Sequence, residues 1–104
     1  MTMPDSVVPE REELDGSQGP VVVEFGTPWC GYCKAAQPLI REVVDQCAGV
    51  RHVRVEDGKG RRLGRSWQVR LWPTLIFLKD GQEQARCVRP ETRQALEAAL
   101  ERIL

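Results

Sequence analysis

The sequence lacks a long apolar run. Its longest, Thr74 to Leu78 and Val21 to Val23, are strand-sized and fall far short of the ~20 residues a membrane-crossing helix needs. Met1 to Pro9 hold no basic stretch and no long apolar one, so no secretory leader is read there, and the expected compartment is the cytoplasm. Net charge is also missing, because 15 Lys and Arg balance 15 Asp and Glu. Global electrostatics therefore does not favour a nucleic-acid partner. There are no internal repeats and no low-complexity tract. With 104 residues, 41% hydrophobic and 29% charged, the chain has room for one domain of ordinary globular composition. That excludes disordered, collagen-like and coiled-coil classes.

A second paired cysteine motif is missing too. The cysteines stand at 30, 33, 47 and 87, and only Cys30 and Cys33 form a Cys-x-x-Cys. A structural zinc site takes four ligands, usually two such pairs or a Cys pair with a His pair. Cys47, Cys87 and His52 supply no second pair, so no metal is expected. Two structural disulfides would suit a secreted domain, which the absent leader argues against. Redox chemistry at one dithiol is the better expectation.

Charge is unevenly placed. Residues 1–20 carry Arg11 against five carboxylates, whereas residues 51–70 carry seven cations against Glu56 and Asp57. The basic stretch is either a solvated face or a docking patch for an acidic partner.

Residues 1–20 form a polar segment with Pro4, Pro9, Gly16, Gly19 and Pro20. Glu10 to Leu14 reads as a short helix, with Pro9 at its start and Gly16 past its end. The remainder of the segment is expected to be loosely held. Val21 to Phe25 reads as a buried central strand interrupted by Glu24. From Cys33 the pattern turns helical. Leu39, Val43 and Cys47 make one ridge, Ile40 and Val44 another, Pro38 a kink and Gly49 the stop. Val50 to Val55 reads as a second strand with Val53 and Val55 on one face, and Arg61 to Trp67 as a short basic helix. Leu71-Trp72-Pro73 is a loop. Thr74 to Leu78 and Glu83 to Val88 are strands joined by an Asp80-Gly81 turn. A last helix starts at Pro90, with Leu96, Ala99, Leu100 and Ile103 as its stripe. This order predicts an α/β domain over 21–104. Its mixed central sheet has a parallel pair and a closing hairpin, with helices on both faces.

Cys30-Gly31-Tyr32-Cys33 follows the buried strand and opens a helix. The first amides of a helix are unpaired and its dipole is positive there. A cysteine in that position commonly falls from about 8.5 to the range ~3.5–7.5. Cys30, at the tip, is expected to attack a substrate disulfide. Cys33, one turn inward and more buried, is expected to resolve the mixed disulfide. Trp29, Tyr32 and Trp72 either form an exposed apolar recognition surface, or Trp29 is half-buried packing and Trp72 alone is exposed. Cys47 and Cys87 read as small hydrophobes or as sites of regulatory oxidation. His52 lies far from the cysteines along the chain, and no catalytic role is expected for it.

The run Phe25-Gly26-Thr27-Pro28-Trp29-Cys30-Gly31-Tyr32-Cys33-Lys34 with Pro38, and Trp72-Pro73-Thr74 before the strand Leu75 to Leu78, resemble the thioredoxin family over about residues 20–104. The resemblance implies a thioredoxin-like fold and a thiol–disulfide oxidoreductase without a bound cofactor. Pro73 would be a cis-proline facing the cysteine pair, and the Trp72 backbone would pair with an extended substrate peptide. Glu24 stands where the family has a buried acid beneath the second cysteine. A carboxyl in an apolar strand is desolvated, its pKa rises, and it can take the Cys33 proton directly or through a water. The alternative is a Glu24 that faces an edge. Trp29, Gly31, Tyr32, Trp72, Pro73 and Arg89 are the residues expected to meet substrate.

Three positions depart from the family. Tyr32 replaces the usual Pro, as in glutaredoxins. Gly26 replaces an aromatic residue, and Arg89 replaces a small glycine near the substrate groove. The implied partners are disulfide-containing proteins and a recycling reductase or glutathione, acting on a monomer. A glutathione-linked enzyme, with Arg89, Lys34 and Arg70 on the peptide's carboxylates, and a thioredoxin-fold binding adaptor are the competing expectations.

Overall fold

Val21, Val22, Val23 and Phe25 are β-branched or aromatic and suit a strand buried on both faces. In the computed structural model, which describes residues 8–104, they form the centre of the sheet. Helix α1 (Arg11–Asp15) precedes β1 (Pro20–Gly26), α2 (Gly31–Val43) and β2 (Arg51–Glu56). Then come α3 (Arg62–Ser66), β3 (Thr74–Lys79), β4 (Gln82–Val88) and α4 (Arg93–Glu101). The sheet order is β2-β1-β3-β4. β1 runs parallel to β2 and antiparallel to β3, and β3 pairs antiparallel with β4. The expected mixed sheet is therefore present. The part of the N-terminal segment at 1–7 lies outside the described residues.

Alternation along β1 sends side chains to two cores. Val22, Leu75 and Phe77 pack with Ile40 and Val44 of the α2 region and with Leu96 and Leu100 of α4. Val21, Val23, Phe25, Ile76 and Leu78 pack on the other face with Leu14, Leu63 and Trp67. Helices thus cover both faces. Leu14 is 1% exposed, so α1 belongs to the second core. Arg11 reinforces that attachment: its guanidinium lies 3.7 Å over the Trp67 ring and donates to the Ser66 carbonyl at 2.8 Å.

Most element ends lie within a residue of the sequence expectation, and the larger differences are in α2 and α4. α2 begins at Gly31 instead of Cys33, because the Cys30 sulfur serves as its N-cap. It ends at Val43, and turns carry the chain to Gly49, whose φ of 83° is left-handed and suits glycine. α4 begins at Arg93 instead of Pro90, because the Thr92 hydroxyl accepts the Ala95 amide at 3.2 Å and caps the helix there. The hairpin turn at Asp80-Gly81 has positive φ at both residues, the geometry a two-residue connection prefers.

Candidate active site

β1 ends at Gly26 and the chain turns through Thr27 and Pro28 into α2. That turn places Cys30 at the helix start. Its Sγ accepts the Cys33 amide at 3.2 Å and lies 3.9 Å from the Trp72 carbonyl oxygen. A sulfur at this point meets an unpaired amide and the positive end of the helix dipole. Cys30 keeps a little exposure, 7%, while Cys33 has none. The expected division into an outer and an inner sulfur therefore holds in space. Both cysteines are free thiols. Burial pushes the Cys33 thiol up to about 12. The hydrogen bond to Cys30 and the charges of Cys30 and Glu24 add to the rise, and a bond to the Thr27 backbone opposes it.

Glu24 is fully buried. It sits on central β1, between Arg54 of β2 and Leu75 of β3, so it does not face an edge. Three groups meet its carboxylate. Gln37 Nε2, from α2, donates to Oε2 at 2.8 Å. His52 Nε2 lies 2.7 Å from Oε1, and Arg54 Nε lies 3.7 Å from the same atom. The sequence reading gave His52 no role because of its distance along the chain. Parallel pairing of Val22 with His52 and Glu24 with Arg54 cancels that distance and puts all three polar groups on the α2 face. The other ring nitrogen of His52 lies 2.6 Å from Asp45, which also pairs with Arg54 at 3.1 Å. Burial raises the Asp45 carboxyl, but the hydrogen bond and charge of His52 and of Arg54 outweigh it and hold it below its ordinary value. The one available signal was that Val53 and Val55 claim one face of β2, leaving His52 and Arg54 to the other.

The third wall is the loop before β3. The Trp72–Pro73 bond is cis, Pro73 is buried, and Trp72 Nε1 donates to Asp57 at 2.9 Å. Arg89 closes this wall from the end of β4. Its amide donates to the Pro73 carbonyl at 2.8 Å, and its Nε donates to the Trp72 carbonyl at 2.9 Å. Its guanidinium lies 3.8 Å over the Tyr32 ring. Trp29 and Tyr32 are 70% and 60% exposed, and Trp29 meets Trp72 edge-on at 5.6 Å. Trp29 is therefore not half-buried packing; the indole more sheltered of the two is Trp72. Gly31 is exposed at the helix start, as are Lys34 and, elsewhere, Arg70. Among the described residues no His, Cys, Asp and Glu cluster fits a metal ion.

Residues 9–102 match the family model for thioredoxin. The chain belongs to the thioredoxin family. It is 30% identical over 95 residues to thioredoxin 1 of Nostoc sp., covering 90% of this chain and 89% of that one. It is 39% identical over 66 residues to thioredoxin Asp f 28 of Aspergillus fumigatus, covering 64% of this chain and 61% of that protein. The reduced structure of thioredoxin 2 from Pseudomonas aeruginosa superposes with a TM-score of 0.82 at 57% identity, covering 96% of this chain and 93% of the other. With Cys30 and Cys33 in the thioredoxin spacing, the protein is a dithiol–disulfide oxidoreductase, and the glutathione-linked and adaptor readings are not favoured. No helix among the described residues is long and apolar enough to cross a membrane.

Proposed function

We propose that the protein reduces disulfides in other proteins, with Cys30 attacking and Cys33 resolving. The observation that carries this division is the single turn of α2 that sets the Cys30 sulfur on the Cys33 amide while Cys33 lies fully buried. The Cys30 thiolate attacks one sulfur of a substrate disulfide, and the other substrate sulfur leaves as a thiolate. The Cys33 thiol then loses its proton and attacks Cys30, which forms the Cys30–Cys33 disulfide and frees the second substrate sulfur. Burial, the chief cause of the raised Cys33 thiol, persists when Cys30 is tied up in a mixed disulfide, so Cys33 stays mostly protonated near neutrality and resolution needs a proton acceptor. Glu24, buried and charged close enough to raise Cys33, is the group we assign to that role, directly or through a water.

The exposed faces of Trp29 and Tyr32, Gly31 between the cysteines, and the Trp72–Pro73 loop form the substrate surface in this reading. Arg89 covers part of it, because its Nε holds the Trp72 carbonyl that an extended peptide would otherwise use. A reductase would return electrons to the pair, on a monomer. Cytoplasmic placement is supported by the cysteine usage of the sequence, one Cys-x-x-Cys pair and two lone cysteines in place of a set of structural pairs.

The test is disulfide reduction with insulin and a dithiol reductant. Cys30→Ser should abolish turnover. Cys33→Ser should accumulate mixed disulfides on Cys30, and mass spectrometry of the adducts names the substrates. A Cys33→Ser protein that collects no adducts would overturn the exchange scheme.

A further inference from the structure

A buried acid that receives a proton each cycle also has to lose it. Glu24 has no exposed surface, and its neighbours differ in what they can carry. Gln37, from α2, and Arg54, from β2, hold the carboxylate but do not release protons near neutrality. Cys33, also on α2, is the donor, and Leu75 of β3, paired with Glu24, is apolar. His52 is the remaining group. Its side chain is 8% exposed, with Nε2 2.7 Å from Glu24 Oε1 and Nδ1 2.6 Å from Asp45 Oδ1. The Asp45 side chain is 33% exposed. One imidazole thus spans an internal carboxylate and one at the surface.

We propose that His52 and Asp45 form the proton path between Glu24 and solvent, with His52 a relay that acts through Glu24. The proposal rests on the assignment of Glu24 as acceptor of the Cys33 proton. In the oxidative half-cycle Cys33 gives its proton to Glu24, and the freed sulfur closes the disulfide with Cys30 as the substrate thiolate departs. Glu24 passes the proton to Nε2 of the neutral ring while Nδ1 gives its own to Asp45, which releases it to water. The ring changes tautomer and acquires no net charge. When a dithiol reductase reduces the pair, the path runs backward. Glu24 takes the proton of Nε2 and hands it to the Cys33 thiolate, and Nδ1 is reprotonated through Asp45, which leaves Glu24 a carboxylate again. One full cycle restores the starting tautomer. Arg54, which touches both carboxylates, holds the two ends in place.

The experiment is single-turnover release of a peptide from its mixed disulfide with Cys30, followed by tryptophan fluorescence from pH 5 to 8.5. It compares the wild type with Glu24→Gln, His52→Gln and Asp45→Asn. His52→Gln keeps an amide donor toward Glu24 but cannot pass a proton. It should slow release about tenfold near pH 7, a fraction of what acid–base groups contribute, and flatten the pH–rate profile. Asp45→Asn, at the surface, should keep the fold and shift the profile in the same direction by a smaller factor. A His52→Gln protein with the wild-type profile, beside a slow Glu24→Gln, overturns the relay and leaves Glu24 as acceptor. Slowing by one factor at every pH means a packing role only and also overturns it. A Glu24→Gln protein at the wild-type rate overturns the assignment of Glu24 and the relay together. If His52→Gln does not fold, Asp45→Asn decides, and an unchanged profile there overturns the path.

Discussion

Burial acts on one proton at Cys33, and the consequence reaches stability as well as rate. Its thiol is raised from 9.0 to about 12 in the folded, reduced protein, chiefly by desolvation. A group whose folded pKa lies above its unfolded one lends stability that is complete below the unfolded value and is lost as pH climbs through the folded one. The reduced protein should therefore lose stability between about pH 9 and 12, and Cys33→Ala should lose less over that window. Urea unfolding at stepped pH measures the difference. Asp45 acts at the other end. Its lowered carboxyl lends stability above the ordinary carboxylate range that is lost as acid protonates it. Arg89 carries a prediction about rate. Its φ of 50° is the left-handed region where glycine is at ease, and its Nε occupies the Trp72 carbonyl. Arg89→Gly removes one hydrogen bond, worth about 1 kcal/mol, from the path of an incoming peptide. It should raise kcat/KM for extended peptide disulfides about fivefold, and steady-state kinetics with a matched peptide pair checks it.

The starts of the two long helices show how local chemistry places function. α2 is capped by a sulfur, where a serine or aspartate would hold the amide better. The reactive atom thus does the capping, and its exchange into a mixed disulfide changes the cap. α4 has an ordinary cap, Thr92 on the Ala95 amide. Thr92→Ala should cost about 1 kcal/mol, a fall in Tm of roughly 4–8 °C for a domain of this size. Because α4 packs through Leu96 and Leu100 into a core that does not include Cys30 or Cys33, disulfide reduction measured below the transition should be unchanged.

Two cores on one sheet tie the molecule together, and the smaller elements matter through them. α1 is only five residues long, too short to hold its shape alone, yet Leu14 is buried among Val21, Phe25 and Trp67. Gly81 adds a second tie. A Cβ there would lie 1.8 Å from the Asp15 carbonyl oxygen, so the hairpin turn rests directly on the end of α1. Leu14→Ala should cost about 2–5 kcal/mol, as other buried leucine truncations do. Urea denaturation reads the loss, and the cysteine chemistry on the opposite core should survive in the folded fraction.

Element types, the two cores and the reactive pair were legible in the residues. Period-two and period-3.6 patterns report burial directly, and Cys30 and Cys33 are adjacent enough along the chain for one helical turn to set their geometry. Helix starts were less so, since a sulfur and a threonine cap displaced two of them by a few residues. The surroundings of Glu24 were barely legible, because alternation set His52 and Arg54 on one face of β2 without saying which residues they would meet. That His52, twenty-eight residues away, touches its carboxylate follows from strand register, as does the placing of Arg54. Arg89 reaches Trp72 and Tyr32 only because β4 pairs with β3. Local pattern determines which residues turn inward. Which inward residues meet is decided by how the strands align, a property of the whole sheet that no single stretch of chain carries.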